Sequence, residues 1–289
     1  MKIEDHLLDT LLFDCIKTAK DAGGEILRFY HNGYEVEHKS DESPITEADL
    51  AAHRHIVGRL HELTPDYHIL SEEAADISFE ERRQWQTYWL IDPLDGTREF
   101  IKHNDEFSIN IALIHKRQPI LGVVYAPALD LLYFARRGSG AFKCMAGEAP
   151  TPINVRPAPS DSQLTVCRSR APGLGPNLAK FLDALGAHKE LSMGSALKSC
   201  LVAEGLADVY ARLGPTCEWD TAAAQCIVEE AGGRMVDVYR RHLRYNTRES
   251  LLNPNFLVYG DPTRDWTGYL KDCDESTYTE RQIRTSAAL

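Results

Sequence analysis

Four apolar stretches follow one another between residues 107 and 143, with only turns between them. They read FSINIALI, PILGVVYA, LLYFAR and GAFK, and the intervening turns are rich in Pro, Gly and Ser. Stretches this short, joined by connections this short, are typical of neighbouring antiparallel strands. The pattern therefore predicts an antiparallel sheet in the first half of the chain.

The pattern is different on either side of this sheet. Residues 5–30 and the segment SPITEADLAAHRHIVGRLHEL have helical periodicity, the latter with a capping box at Thr46–Asp49. After a stretch at 145–162 that is rich in Pro, Ala and Ser, strands and helices alternate. We therefore expect an α+β chain. Its predicted parts are an antiparallel-sheet half (1–150), an α/β half (151–260) and a polar tail (261–289).

Charge and cysteine content narrow the function classes. With 32 basic and 43 acidic residues the net charge is -11, which disfavours general nucleic-acid binding. No apolar run approaches a membrane span, and acids come too early for a signal peptide. The seven cysteines form no CxxC pair, which is typical of free thiols in a reducing compartment. We expect a cytoplasmic protein, and the oligomeric state is left open.

Acidic residues stand at the ends of several predicted elements. Taken singly, Asp49 and Asp220 have the position of helix caps, and Asp95 with Gly96 that of a turn. The pair at 72–73 has the composition of solvated surface. None of these residues alone indicates a functional site.

The segment LIDPLDGT at 90–97 indicates more than a turn. Asp92 follows an apolar strand directly, so its backbone is expected to leave the sheet there, and Pro93 fixes one φ angle. Two buried carboxylates would repel each other, and a divalent cation removes that penalty. Two metal ions bridged by one carboxylate serve phosphoryl hydrolysis, and Mg²⁺ prefers oxygen ligands. Gly96 and Thr97 at a helix start would offer N–H groups to a phosphate.

Four segments together resemble the inositol monophosphatase superfamily of lithium-sensitive phosphatases. DPLDGTREF resembles its D-P-x-D-G-T-x-x-F signature, and WDTAAAQCIVEEAGG resembles its W-D-x-A-A signature with the following E-A-G-G. SEEA and PITEAD resemble two shorter motifs, and all four occur in the family's order between about residues 5 and 260. The resemblance implies a layered αβαβα sandwich, dependence on Mg²⁺ and inhibition by lithium.

The same resemblance implies particular ligands. A first magnesium would be held by Glu72, Asp92 and the backbone carbonyl of Leu94, and a second by Asp92, Asp95 and Asp220. A third, weaker magnesium near Glu72 is also expected. The catalytic candidates are Asp49, Thr97 and Glu72, of which the first two would prepare the attacking water.

The segment GSALKSCLVAEGLADVYARLGPTCEWD is similar to the bacterial CysQ-type 3'(2'),5'-bisphosphate nucleotidases, as are FIKHNDEFSINIALI, VYAPALDLLYFA and RESLLNPNF. Arg212 stands where inositol monophosphatases typically carry a Glu, if one inserted residue is allowed. A guanidinium cannot accept a hydrogen bond from a sugar hydroxyl, but it suits a phosphate. The implied reaction is hydrolysis of the 3'-phosphate of adenosine 3',5'-bisphosphate, with its sulfated analogue as a second candidate substrate. The alternative is an inositol-1-monophosphatase or a related sugar-phosphate phosphatase.

Ser195 and Lys198 lie three residues apart, which would place them on one face of a helix. With Arg212 they are expected to hold the phosphate that is not cleaved. Glu218 departs from the nucleotidase pattern, and it either adds an acid beside the second metal or faces solvent. Peripheral attachment to the inner membrane is compatible with this interpretation, and a nucleic-acid partner is not. The residues expected to contact substrate are Glu72, Leu94, Asp95, Gly96, Thr97, Ser195, Lys198, Arg212 and Asp220.

Overall fold

The computed structural model describes residues 3–33, 36–38, 44–159, 163–170, 175–271 and 273. The helices are α1 Asp5–Asn32, α2 Glu47–Leu63, α3 Phe79–Arg82, α4 Thr97–Ile101, α5 Pro176–Leu185, α6 Leu197–Ala203 and α7 Ala222–Glu230. The strands are β1 Val36–His38, β2 Pro44–Thr46, β3 His68–Ser71, β4 Thr87–Asp95, β5 Ser108–His115, β6 Gln118–Ala126, β7 Leu131–Arg136, β8 Ala141–Met145, β9 Thr151–Ile153, β10 Thr165–Arg168, β11 Lys189–Ser192, β12 Val209–Arg212, β13 Arg234–Asp237 and β14 Phe256–Tyr259. Short 3₁₀ helices cover Pro127–Leu129, Glu218–Asp220 and Trp266–Leu270.

The larger sheet has seven strands in the order β3-β4-β5-β6-β7-β8-β9. Only the β3–β4 pair is parallel, and the other pairs are antiparallel. This is the sheet that the strand-rich segment 107–143 predicts, extended at both ends. Helices α1 and α2 cover one face of it, where Trp89, Ile91 and Ile111 pack against Leu8 and Ile56.

The smaller sheet has five strands in the order β11-β10-β12-β14-β13. Strands β11, β10 and β12 are parallel, as alternation of strands and helices predicts, whereas β14 runs antiparallel to both of its neighbours. Helices α6 and α7 lie between the two sheets, where Leu197 and Ile227 are buried with Leu90 and Phe256. Helix α5 and the 3₁₀ helix at 266–270 cover the outer face. The layers are therefore α, β, α, β, α, which confirms the predicted fold class.

Local details differ from the sequence-based expectation in two places. Helix α2 starts at Glu47 and not at the Ser-Pro pair, because Pro44–Thr46 forms a strand paired with β1. The segment after Asp261, predicted to be a polar tail, contains Trp266, which is buried beside Tyr259. Residues 274–289 of that tail lie outside the described residues. Among the helices that the structure describes, none combines the length and apolarity that a membrane crossing requires.

One close approach places α7 against the larger sheet. Gly122 on β6 lies under the start of α7, and a Cβ at this position would overlap the backbone carbonyl of Ala223. Because glycine has no Cβ, the helix can lie directly on the strand. The residues just before α7 are thereby held over the end of β4 and β5.

Candidate metal centre

Glu72 and Asp92 are brought together by the parallel pairing of β3 and β4. Ser71 lies opposite Ile91 in this pairing, and the N–H of Glu72 donates to the carbonyl of Ile91 at 3.2 Å. Adjacent parallel strands end at the same edge of a sheet. The first residue after β3 therefore lies beside Asp92.

A β-bulge in β4 explains how Asp92 and Asp95 act together. Asp92 pairs with Asn110 and Asp95 with Ser108, so three steps along β4 match two steps along β5. Directly opposed residues of antiparallel strands point to the same face, so both aspartates lie on one face. The prediction that the chain leaves the sheet at Asp92 is therefore wrong. Because Pro93 has no N–H to donate, the pairing is interrupted there and then resumes.

Asp220 reaches the same place from the second half of the chain. It ends the 3₁₀ helix Glu218–Asp220 before α7, and its Oδ2 accepts the N–H of Cys217 at 2.9 Å. Oxygen atoms of Glu72, Asp92 and Asp220 all lie within 4.8 Å of one another. Three segments distant in sequence thus place carboxylates in one small volume.

Burial and mutual repulsion raise the pKa values of the aspartates in this cluster. Burial, followed by the negative charges of Glu72 and Asp95, holds the pKa of Asp92 well above its ordinary value. Burial and the charges of Asp95 and Glu72 do the same to the pKa of Asp220. For Asp95, burial raises the pKa to about 6, opposed by the positive charge of Lys198. Each raised pKa reports a cost of holding the ionised form there.

This donor set fits a divalent cation. Carboxylate oxygens are the ligands that Mg²⁺ prefers, and the carbonyl of Leu94 lies in the same bulge, 3.4 Å from the hydroxyl of Thr97. A bound cation would favour the ionised forms that burial disfavours. Glu72, Asp92, Leu94, Asp95 and Asp220 are the residues that could hold it.

Asp49 and Thr97 meet at the edge of this cluster. The hydroxyl of Thr97 donates to Oδ1 of Asp49 at 3.2 Å. Oδ2 of Asp49 accepts the N–H and the hydroxyl of Thr46 at 2.7 and 2.6 Å, which confirms the predicted capping box. Asp49 is only 1% exposed. One buried carboxylate therefore both caps α2 and bonds the threonine of the DGT motif.

Gly96 precedes α4 in the left-handed region, with φ of 92°. This conformation favours glycine, and it turns the chain from β4 into α4 directly after the bulge. Gly96 and Thr97 thus lie at the start of α4 beside the acidic cluster, where the sequence predicts phosphate binding.

The structure corrects the prediction for Ser195. Helix α6 begins at Leu197, and Ser195 lies in the preceding turn with a left-handed φ of 44°. Ser195 and Lys198 therefore do not share a helical face. Instead, the ammonium group of Lys198 turns back and donates to the carbonyl of Ser195 at 2.6 Å, above the ring of Tyr210.

Arg212 lies near Asp220 at the end of β12. Its guanidinium group donates to Oγ1 of Thr216 at 2.7 Å and to the carbonyl of Pro215 at 2.6 Å. Its charge opposes the rise in the pKa of Asp220. Two of the five N–H groups of a guanidinium are used in these bonds, which fix its plane next to the acidic cluster.

Sequence reasoning missed several residues that shape the site. Asn110 donates to Oδ2 of Asp95 at 3.4 Å, and the N–H of Ala196 donates to the same oxygen at 2.6 Å. Glu106 accepts the N–H of Gly194 at 2.9 Å and binds Arg170 through both oxygens. Polar residues at alternate positions of an apolar strand, Ser108 and Asn110, were a sequence signal for the role of Asn110. The contacts of Glu106 join segments far apart in sequence and have no such signal.

The burial of Glu218 contradicts one of the two expectations from the sequence. Glu218 is 2% exposed, so it does not face solvent. Both of its oxygens accept the N–H of Asn246, at 2.9 and 2.8 Å. The positive charges of Arg82, Arg248 and Arg117 oppose the effect of burial, which raises its pKa to about 7. Its carboxylate therefore lies among basic side chains, although its backbone is only two positions from Asp220.

A family model matches most of the chain. The model described as the inositol monophosphatase family matches residues 7–270 of the chain. The chain therefore belongs to the inositol monophosphatase family, which confirms the resemblance seen in its motifs.

Within this family, the chain is similar to bacterial proteins named 3'(2'),5'-bisphosphate nucleotidase CysQ. The protein of Salmonella typhimurium is 46% identical over 250 residues, covering 86% of this chain and 99% of that protein. The protein of Haemophilus influenzae is 39% identical, covering 92% and 97%. A crystal structure of CysQ from Bacteroides thetaiotaomicron has a TM-score of 0.76 and 38% identity, covering 87% of this chain and 97% of that one.

Proposed function

We propose that the protein is a magnesium-dependent 3'(2'),5'-bisphosphate nucleotidase. It would convert adenosine 3',5'-bisphosphate to AMP and phosphate, with the sulfated analogue as a second substrate. The observation that carries this proposal is the convergence of Glu72, Asp92 and Asp220 within 4.8 Å, with Arg212 beside them. The nucleotidase names of relatives that are 39–46% identical support the choice of substrate.

Glu72, Asp92 and the Leu94 carbonyl would form one metal site, and Asp92, Asp95 and Asp220 a second. A third ion near Glu72 is a further part of the proposal. Bound Mg²⁺ ions would lower the pKa of a water molecule and stabilise the charge on the leaving oxygen. The role of the chain is to hold these ligands in place and to handle the protons.

Thr97 and Asp49 would take a proton from the attacking water. Because the Thr97 hydroxyl donates to Asp49 at 3.2 Å, its lone pairs can accept from water while its own proton points to the carboxylate. The two bonds from Thr46 fix the orientation of Asp49. Attack on the 3'-phosphorus then breaks its bond to the ribose oxygen, which takes up a proton to become the 3'-hydroxyl of AMP.

The phosphate that stays on the nucleotide would be held by Ser195, Lys198 and Arg212. Lys198 is 7% exposed, and its charge acts on Asp95, so it lies close to the cleavage site. Arg212 presents a fixed planar fork, which suits bidentate contact with a phosphate. Inositol 1-phosphate offers hydroxyl groups here, and hydroxyls gain less from two cations. The N–H groups of Gly96 and Thr97 would hold the phosphate that is cleaved.

Parallel phosphate-release assays on adenosine 3',5'-bisphosphate and inositol 1-phosphate, with Mg²⁺ present, test the substrate. We expect the nucleotide to be hydrolysed with the higher kcat/KM, and Arg212→Glu to lower that value selectively. Arg54→Glu, at an exposed position on α2, is the control for added negative charge. Preference for inositol 1-phosphate would refute the proposed substrate, and activity unaffected by lithium would argue against the lithium-sensitive class.

The remaining proposals concern location. We place the protein in the cytoplasm, with peripheral attachment to the cytoplasmic face of the inner membrane as a second possibility. Fractionation of cells at low and high salt distinguishes the two, because peripheral attachment through charged groups is released by salt.

A further inference from the structure

The loop of residues 245–253 is hydrogen-bonded to the turn that carries Asp220. Asn253 donates its backbone N–H to the carbonyl of Thr216 at 2.7 Å. Its side-chain amide donates to the carbonyl of Cys217 at 2.6 Å and to the hydroxyl of Thr221 at 3.0 Å. The 245–253 loop is thus bonded to the turn on both sides of Asp220.

Glu218 makes the second attachment. Its backbone N–H donates to the carbonyl of Leu251 at 2.8 Å, and its carboxylate accepts the N–H of Asn246. Glu218 and Asp220 belong to one 3₁₀ helix of three residues. A helix this short has little rigidity of its own, so its neighbours set its position.

Asn246 continues the connection to α3. It is fully buried in the left-handed conformation, with φ of 55°. Its Oδ1 accepts from Arg82 at 2.7 Å, and its amide nitrogen donates to the carbonyl of Arg82. Arg82 is itself 2% exposed and also donates to the carbonyls of Arg248 and Glu249. Arg117 donates to the carbonyl of Asn246.

A buried polar cluster of this kind is not explained by stability alone. Burying an acid, Glu218, and an arginine, Arg82, costs desolvation free energy, and well-packed apolar side chains often stabilise a fold as well or better. Unlike apolar packing, the hydrogen bonds of the polar cluster are directional, so each of them fixes the position and orientation of a particular group. The group at the end of this chain of contacts is Asp220.

We propose that Glu218, Asn246 and Arg82, together with Asn253, form a positioning cluster that holds Asp220 in the geometry for binding a divalent cation. The inference rests on the proposed role of Asp220 as a metal ligand. Glu218 touches neither metal nor substrate in this proposal, and it acts through the turn. Loss of the cluster should therefore weaken metal binding more than it affects the bound nucleotide.

Titration calorimetry of the chelator-treated full chain with MgCl₂ tests this. We expect Glu218→Gln to weaken Mg²⁺ binding roughly tenfold, as for other groups that orient metal ligands. The Mg²⁺ concentration for half-maximal phosphate release should rise by a similar factor, while KM for the nucleotide at saturating Mg²⁺ stays near that of the wild type. Glu249→Gln is the matched control, because Glu249 lies exposed in the same loop.

A second variant covers the case in which Glu218→Gln does not fold. Asn253→Asp places a carboxylate against the carbonyl of Cys217 and should also weaken Mg²⁺ binding. Wild-type Mg²⁺ affinity in a folded variant of either kind would overturn the positioning role. If Asp220→Asn also binds Mg²⁺ like the wild type, the proposed metal site itself fails. If only Asp220→Asn loses binding, the metal site stands and the positioning cluster does not.

Discussion

Asp208 and Asp92 are equally buried, each about 1% exposed, but their surroundings are opposite. Asp208 accepts two hydrogen bonds from Arg156, at 2.8 and 2.7 Å, and one from the N–H of Thr165. The charges acting most strongly on Asp92 are those of Glu72, Asp95 and Asp220. The fold neutralises the first acid with its own residues. Asp92 lies among negative charges instead, which a bound cation would offset. We therefore assign Asp208 a structural role and propose Asp92 as a metal ligand.

Asp92→Asn should give the largest effect. It removes the carboxylate shared by both proposed metal sites, so we expect phosphate release to fall at least about 100-fold, beyond the loss seen for outer-shell groups. The metal-free protein should become more stable, because burial and the neighbouring carboxylates penalise the ionised form of Asp92 and the asparagine carries no charge. Activity assays and urea unfolding in EDTA measure the two effects. If Asp92→Asn is active and no more stable than the wild type, Asp92 does not differ from Asp208 in the way proposed.

Asp208→Asn should have the opposite effects, lowering stability and leaving activity unchanged. Arg156 would lose its charged partner, so we expect unfolding free energy to fall by about 2 kcal/mol. This is less than for a fully buried pair, because the side chain of Arg156 is 37% exposed. The kcat should stay close to the wild-type value. Urea unfolding with parallel activity assays checks this, and a large loss of kcat in the folded variant would contradict it.

The pH dependence of stability should distinguish the metal-free protein from the Mg²⁺-loaded one. Burial raises the pKa of Asp95 from 3.8 to about 6, so the folded chain holds a proton in this range that the unfolded chain has released. Raising the pH through this window therefore lowers stability in EDTA, by at most about 1.4 kcal/mol per pH unit for this group. Mg²⁺ binds the ionised carboxylates, so its stabilising effect should grow over the same window. Unfolding curves between pH 4 and 7, with and without Mg²⁺, would contradict this if they ran parallel.

Arg170→Gln should have the smallest effect on stability. Arg170 pairs with Glu106 through two bonds, but its side chain is 51% exposed. Exposed ion pairs contribute little, so we expect a loss below about 1 kcal/mol. Glu106 keeps its bond from Gly194. If KM for the nucleotide rises while stability is unchanged, Arg170 contacts substrate, and thermal unfolding with steady-state kinetics separates the two effects.

Much of this architecture could be predicted from the sequence, for identifiable reasons. Helical spacing marked α1, and the strand-rich segment marked β5 to β8, because both signals are local. Motifs then indicated the acids at 72, 92, 95 and 220, which the structure brings together. The order of the layers came from the family resemblance, because periodicity alone does not say which sheet a helix covers.

Two of the errors share one physical cause. The turn at Ser195 and the burial of Glu218 depend on partners far away in the sequence. Ser195 takes its left-handed conformation where Gly194 packs against Glu106 and Ala196 bonds to Asp95. Glu218 is satisfied by Asn246, 28 residues further on. No single-sequence pattern reports such pairings, since neither partner has a local signature.

Asp92 and Asp95 lie on the same face of the sheet because the bulge adds one residue to β4 between them. Residues three apart on a regular strand point to opposite sides. Removing Leu94 would let β4 run unbroken against β5, but the second aspartate would then stand two positions after Asp92 without the turn that Gly96 and Thr97 need. Leu94 can therefore be exchanged for another residue of similar size, because its side chain only fills the core and its carbonyl is common to all amino acids. Its omission is a different kind of change, and we expect evolution to tolerate substitution at this position far more readily than deletion.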